Sequence, residues 1–251
     1  MRHILSWSGG KDSTAAIIYC HENGIPLDEI IFCEVMYSIK RGISGENPLH
    51  LEFIYRAKEL FESWGYKVTI LRSDRDFLYC FNHIIEKAPK NPHHVGKRYG
   101  FPLLGRCVIQ RDCKLRPMKQ YLRQLDFMDG YVNYVGICAD EPDRLEALHK
   151  KPNSRSILAE NGITQEMARQ MCESYDLLSP TYEFSKRGGC WFCFASKIFE
   201  NAAIKQTIPG VWDEFVKLEN EKGLAHSRWN VFLESLAERN RQVDEFLLDT
   251  V

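Results

Sequence analysis

Ser8-Gly9-Gly10-Lys11-Asp12-Ser13 follows a short apolar run, Arg2–Trp7, and leads into a helical stretch, Ser13–His21. Adjacent glycines let a backbone turn tightly and bring its N–H groups close to a ligand. The helix behind them adds unpaired N–H groups and the positive end of its dipole. Lys11 brings a full positive charge, and the two serines bring hydroxyl donors. Strand, glycine pair, cation and helix start therefore fall in the order that phosphate binding requires. The plainer alternative is an ordinary strand-to-helix turn with a polar cap. Two better-known phosphate loops are excluded. A Walker A loop has a glycine four intervening residues before its Gly-Lys pair, and Ser or Thr directly after the lysine. Here Leu5 and Asp12 stand in those places. A dinucleotide fingerprint needs further spaced glycines, which the residues after Gly10 lack.

As far as Asp140 the chain alternates strand and helix patterns. Asn23-Gly24 and Pro26 stop the first helix. Ile30–Cys33 reads as a buried strand, Leu49–Trp64 as a helix, Tyr66–Leu71 as a strand and Arg75–Glu86 as a helix. Residues 87–106 are rich in Pro, Gly, His and Lys and read as a long loop, uncommon unless functional or disordered. Val108–Leu125 can be helical, with Pro117 kinking it or marking a boundary. Tyr131–Ile137 is the fourth strand. Strands separated by helices predict an α/β fold with a doubly wound, mostly parallel, Rossmann-like sheet. Beyond Asp140 no further strand is convincing. Thr164–Ser174, Lys197–Gln206, Trp212–Glu221 and Trp229–Leu247 read as helices. Residues 1–150 are thus expected to form an α/β domain carrying the glycine turn, and 151–251 a helical C-terminal extension.

The composition, 44% hydrophobic and 27% charged, excludes long disorder and a collagen-like chain. No apolar run approaches the ~20 residues that a bilayer crossing takes. The residues before Gly9 are too few for a secretory apolar region, so a cytoplasmic protein without a membrane partner is expected. The net charge of -1 hides an asymmetry. Between Lys87 and Arg123 ten Lys/Arg accompany one acid, Asp112, leaving 23 bases and 33 acids elsewhere. Such a block points to an anionic partner, or else it is a solvated positive face. Arg106, Arg111, Lys114 and Arg116 are its candidates for holding an anionic second substrate.

Nine cysteines in a cytoplasmic chain point to metal or redox chemistry rather than structural disulfides. Cys190-Trp191-Phe192-Cys193 is a C-x-x-C pair behind Gly188-Gly189. Cys107 and Cys113, with five residues between them, form a second pair inside the basic block. Four such thiolates suffice for a tetrahedral Zn²⁺ or an iron–sulfur cluster, and the surrounding cations favour ligation. Cys20, Cys33, Cys80 and Cys172 sit in apolar or helical contexts and read as core. Cys138, at a strand end, fits either role. His93-His94, adjacent in a basic loop, converge poorly as metal ligands. Glu34, at the end of the second strand, stands where an acid accepts from a ribose hydroxyl in such sheets, or it is a salt-bridged surface residue.

Ser8–Ser13 resembles the SGGxDS pyrophosphate loop of the PP-loop ATP pyrophosphatase superfamily. Over residues 1–195 the chain is most similar to that superfamily's phosphoadenosine phosphosulfate reductase-like branch. The resemblance implies that Ser8, Gly9, Gly10, Lys11 and Ser13 bind phosphate, and that Asp12 orients Mg²⁺ or caps the helix. Gly136-Ile137-Cys138-Ala139-Asp140-Glu141 resembles the family's glycine-containing stretch near the nucleotide, with Asp140 and Glu141 as metal-facing acids. ATP-using members release pyrophosphate and form an adenylylated substrate, with Lys11 and Asp12 then the catalytic pair. The cysteines resemble those of adenosine phosphosulfate reductases, which hold a [4Fe–4S] cluster. The implied ligands are Cys107, Cys113, Cys190 and Cys193, with Zn²⁺ as the alternative occupant; the first pair departs from the family in not being adjacent.

Three functions compete. The first is an enzyme that splits ATP to AMP and pyrophosphate to activate a substrate. The second is a sulfonucleotide reductase; yet that family's C-terminal Glu-Cys-Gly-x-x-His nucleophile is missing, and Lys11, which many true reductases lose, is present. The third is a tRNA-thiolase-like or nucleic-acid-binding protein, whose basic block would hold phosphates in a salt-dependent way.

Overall fold

The computed structural model describes residues 1–103, 105, 107–128, 130–183, 189–230 and 235–249. Its strands are β1 (Arg2–Trp7), β2 (Glu29–Glu34), β3 (Met36–Ser38), β4 (Ile43–Ser44), β5 (Lys67–Arg72), β6 (Arg98–Gly100), β7 (Tyr131–Val135), β8 (Ser154–Arg155) and β9 (Leu224–His226). Its α-helices are α1 (Lys11–Glu22), α2 (Pro48–Ser63), α3 (Phe77–Asn82), α4 (Arg116–Met128), α5 (Pro142–His149), α6 (Ile157–Glu160), α7 (Gln165–Ser174), α8 (Ile198–Thr207), α9 (Pro209–Lys217) and α10 (Leu236–Asp249). Among the described residues no helix is long and apolar enough to cross a membrane.

By contact the chain forms two compact units. One comprises Met1–Cys33, Leu49–Leu71 and Pro117–Gly188; the other comprises Glu34–Pro48, Arg72–Arg116 and Gly189–Val251. Residue 150, the boundary read from the sequence, lies inside the first unit.

The first unit is built on a five-stranded parallel sheet in the order β5-β2-β1-β7-β8, flanked by helices, as the alternating pattern predicts. Side chains alternate along a strand, so a strand covered on both faces must be apolar at successive positions. Leu5 and Trp7 of β1 and Ile30 and Phe32 of β2 enter one buried cluster with residues of α1, α2 and α7. Ile4 and Ile31 enter another with Leu125 of α4. α1 is buried at Ser13 through Ile18 and at Cys20, the pattern of a helix enclosed on most of its circumference. The Trp7 indole donates to Thr14 Oγ1 at 2.9 Å and braces the strand against the helix that follows.

From central β1 the chain runs outward to β2 and β5, then returns on the other side with β7 and β8. Arg2↔Tyr131 through Ser6↔Val135 pair β1 with β7, so the strand order reverses between these two. In open parallel sheets the ligand crevice lies outside the carboxyl ends of the strands at such a reversal.

The second unit has an aromatic core in which Tyr37, Phe77, Trp191, Phe192 and Phe215 meet in stacked, tilted and edge-on pairs. β3 and β4 pair antiparallel, and β6 pairs with β9 in parallel.

Several elements differ from the sequence reading. The region beyond Asp140 holds two short strands, β8 and β9, among its helices. Residues 87–106 contain a 3₁₀ turn at Pro92–His94 and strand β6. The helix expected over Arg75–Glu86 is confined to α3: the Asp76 carboxylate accepts from the Tyr79 N–H at 2.6 Å and caps its start, and extended backbone at His83 ends it. Pro117 marks a boundary, as the sequence reading allows: a π-helical turn at Gln110–Leu115 passes directly into α4, and the proline is the second residue of that helix. α9 starts at Pro209, whose missing N–H would have no partner in a first helical turn.

Candidate functional site

The Ser8–Ser13 turn leaves the carboxyl end of β1, and Gly136 leaves that of β7, so the two stand at the reversal of strand order. Gly9 has φ +73°, a left-handed conformation that favours glycine. Gly10 is the N-cap of α1 and has no side-chain cap of its own. The serines tie the turn together: Ser8 N–H donates to Ser13 Oγ at 3.2 Å, and Ser13 Oγ donates to the Gly10 carbonyl at 3.0 Å. Gly136 is required by proximity, because a β-carbon there would come within 2.4 Å of the Ser13 nitrogen. The Lys11 N–H donates to the Tyr182 hydroxyl oxygen at 3.0 Å, which marks an oxygen-acceptor position at the start of α1.

Beneath the turn lies a residue the sequence reading missed. His50 is 2% exposed. Its Nε2 lies 3.3 Å from the Ser8 carbonyl, and its Nδ1 lies 2.9 Å from Ser179 Oγ. Donation from Nε2 to the carbonyl makes Nδ1 the acceptor of the serine proton in the neutral ring. His50 thus holds the loop's backbone from below. A lone histidine in an amphipathic helix pattern gives no sign of this.

Lys11 Nζ bonds Asp12 Oδ1 at 2.5 Å and Gln165 Oε1 at 3.3 Å. Burial works against the ammonium, but Asp12, Cys138 and Tyr182 outweigh it and raise its pKa. Donor atoms of Asp12, Cys138 and Glu141 all lie within 4.8 Å of one another. The fully buried Cys138 thiol donates to Asp12 Oδ1 at 3.3 Å, and its backbone N–H donates to Glu141 Oε2 at 2.9 Å. Burial and the neighbouring carboxylates push this thiol up. Two of the three donors are the hard oxygens that Mg²⁺ takes, so Asp12 and Glu141 fit that ion; the sulfur suits a softer one. Asp140 does not join this group: its Oδ1 accepts from the Gln165 N–H at 3.1 Å.

Glu34 is the last residue of β2 and is buried, but its carboxylate is held by Arg72, with Nε at 2.8 Å and Nη2 at 2.7 Å. Arg72 thus partners a buried Glu34 and not a surface one.

All four expected metal-binding cysteines belong to the second unit. Cys113 is buried in the π-helical turn; Cys107, Cys190 and Cys193 are partly exposed. Burial, Glu46, Cys193 and Cys107 push the Cys190 thiol up, while Lys114 opposes them. Cys190 in turn is among the groups that raise Cys113, after Cys80 and burial. The thiols are therefore within electrostatic reach of one another. Gln110 N–H donates to Cys107 Sγ and Ala195 N–H to Cys193 Sγ, both at 3.4 Å, the support that a thiolate ligand uses. Zinc with bonds of about 2.3 Å would draw its four sulfurs to roughly 3.8 Å from one another. Among the described residues no three thiols lie mutually within 4.8 Å.

Of the basic candidates, Arg111 is exposed and binds Asp112 through Nε at 2.6 Å and Nη2 at 2.9 Å. Arg116 lies 3.6 Å from Asp74, and its Nη1 is buried with no hydrogen-bond partner. An orphaned guanidinium nitrogen is a donor for an anion. Lys114 acts on Cys190 as noted, and Arg106 lies outside the described residues. Comparison with protein-family models and with curated proteins gives no match for this chain.

Proposed function

We propose that this chain is an ATP-using enzyme of the PP-loop type, which splits ATP between its α- and β-phosphates and adenylylates an anionic second substrate. The observation that carries the reading is the glycine turn Ser8–Ser13, standing with Gly136 at the strand-order reversal of a parallel sheet. Backbone N–H groups of the turn and of the first turn of α1 bind the phosphate oxygens, with the Ser8 and Ser13 hydroxyls beside them. Lys11 lies at the start of the same helix and offsets charge on the β,γ-pyrophosphate as it leaves. The substrate's nucleophilic oxygen bonds the α-phosphorus while the bond to the α,β-bridging oxygen breaks, and pyrophosphate departs with that electron pair. Asp12 and Glu141 would hold Mg²⁺, which withdraws charge from the phosphates when bound. Cys107, Cys113, Cys190 and Cys193 would hold a [4Fe–4S] cluster, with Zn²⁺ the alternative; such a group supplies a cross-link in the second unit and, as a cluster, electron or sulfur chemistry. Arg116, with its unpartnered Nη1, and Lys114 supply cations for the second substrate. Within this reading the protein acts in the cytoplasm.

Product analysis with α-labelled ATP is the test. AMP and pyrophosphate, formed slowly with ATP alone and faster with the second substrate, are expected. ADP with phosphate, or no cleavage across a screen of anionic substrates, would reject the reading in favour of a sulfonucleotide reductase or a nucleic-acid-binding protein.

A further inference from the structure

The thiols named from their spacing number four, but the fold brings a fifth to the same place. Cys80 on α3 is 3% exposed, and its Sγ lies 3.8 Å from that of the fully buried Cys113. More than this contact holds the two face to face. Ser73 Oγ donates to the Asp112 carbonyl at 3.0 Å, and Arg75 Nη1 bonds Asp112 Oδ2 at 3.2 Å. The segment leading into α3 is thereby fastened to the π-helical turn that carries Cys113. π-turns are rare and concentrate at functional sites. A buried cysteine that serves only as a small hydrophobe needs no thiol partner. Cys80 has one, at the separation that two ligands of one tetrahedral ion would adopt.

We propose that Cys80 is itself a ligand of the metal centre, so that five thiols, Cys80, Cys107, Cys113, Cys190 and Cys193, compete for its coordination positions. The inference rests on the metal centre of the proposed function.

The test uses the full chain purified anaerobically, as wild type, Cys80→Ala, Cys80→Ser and Cys113→Ala. Cys20→Ala controls for removal of a buried thiol in the other unit. Metal and sulfide per chain, the rate of metal loss to a chelator, and the number of sulfur neighbours by X-ray absorption are measured. Circular dichroism checks folding, and Ala and Ser provide two small replacements at the buried site. Losing even a group that only supports a ligand costs roughly 10–100-fold in metal affinity. Both Cys80 variants should therefore release metal roughly tenfold faster or more, with fewer sulfur neighbours, while Cys20→Ala matches wild type. Wild-type metal content and release in both Cys80 variants, with loss in Cys113→Ala, would overturn the role of Cys80 alone. A wild type that takes up no iron or zinc would overturn the metal centre, and this inference with it.

Discussion

The His50 ring fills the space that a side chain on Gly9 would need. A β-carbon on Gly9 would lie 2.5 Å from His50 Cε1 and 2.4 Å from Ile54 Cδ1, at a φ of +73°. The glycine turn is therefore held from two sides, by its own backbone conformation and by a buried imidazole bonded to the Ser8 carbonyl. Gly9→Ala should cost about 1–3 kcal/mol in backbone strain alone, and more if the ring is displaced. Thermal melts should show the lower stability, and ATP affinity should fall with it. Wild-type values for both would show that the turn tolerates a side chain and is not the cradle described.

Lys11→Ala separates charge from shape. The backbone of the turn stays as it is, so calorimetry should show weaker ATP binding without a loss of fold. Gly10→Val should act sterically instead, because a β-carbon there already stands 3.2 Å from Ser8 Oγ and from the Tyr182 hydroxyl. Unchanged affinity in both variants would rule out this loop as the nucleotide site.

Glu29 gives the first unit an acid-sensitive bond. Burial alone would raise its carboxyl, but hydrogen bonds from Lys67, Thr69 and Tyr121 hold it below its ordinary value. Lys67 Nζ is 2.8 Å away and Tyr121 Oη is 2.7 Å away. A depressed carboxyl stabilises the fold above its unfolded pKa, and that stability is lost as pH falls through the lower folded value. Glu29→Gln should therefore cost about 2 kcal/mol at neutral pH. The gap should close as pH drops below the usual glutamate value of about 4.3. Denaturant titrations of both proteins across that range measure it; a gap that persists in acid would assign the effect to packing.

Metal removal should be felt in the second unit. Trp191, inside the C-x-x-C, and Trp212 and Trp229 are all buried in its core. Chelation should shift tryptophan emission to longer wavelength and leave nucleotide binding by the first unit in place. Emission that does not move would mean that the thiols carry no structural load.

The four longer strands of the sheet were legible because each is an apolar run closed by glycine, proline or charge, and the glycine turn was legible because its chemistry is local. β8 was not: Ser154 and Arg155 have no strand pattern of their own and are ordered by pairing with Asn133 and Tyr134. Cys80 reads as core because its neighbours Phe77, Leu78 and Phe81 are apolar, and its meeting with Cys113 is made only by the fold. His50 was hidden in the same way, since its partners Ser8 and Ser179 lie far away along the chain, and at Cys138 only the bond to distant Asp12 was. At Glu34 the strand-end position was legible and the bond to Arg72 was not, since Arg72 comes 38 residues later.

The chain passes between its two units five times, which bears on how it can be made. The core of the second unit joins Val35 to Val243, and that of the first joins Leu5 to Leu177. Neither can close until a distant part of the polypeptide has been synthesised, so early segments must wait with apolar surface exposed. Contacts of such long sequence separation slow folding and leave nascent chains open to aggregation. A ribosome-stalled fragment ending near residue 150 should accordingly be protease-sensitive and depend on chaperones, even though it contains the whole glycine turn and most of the parallel sheet.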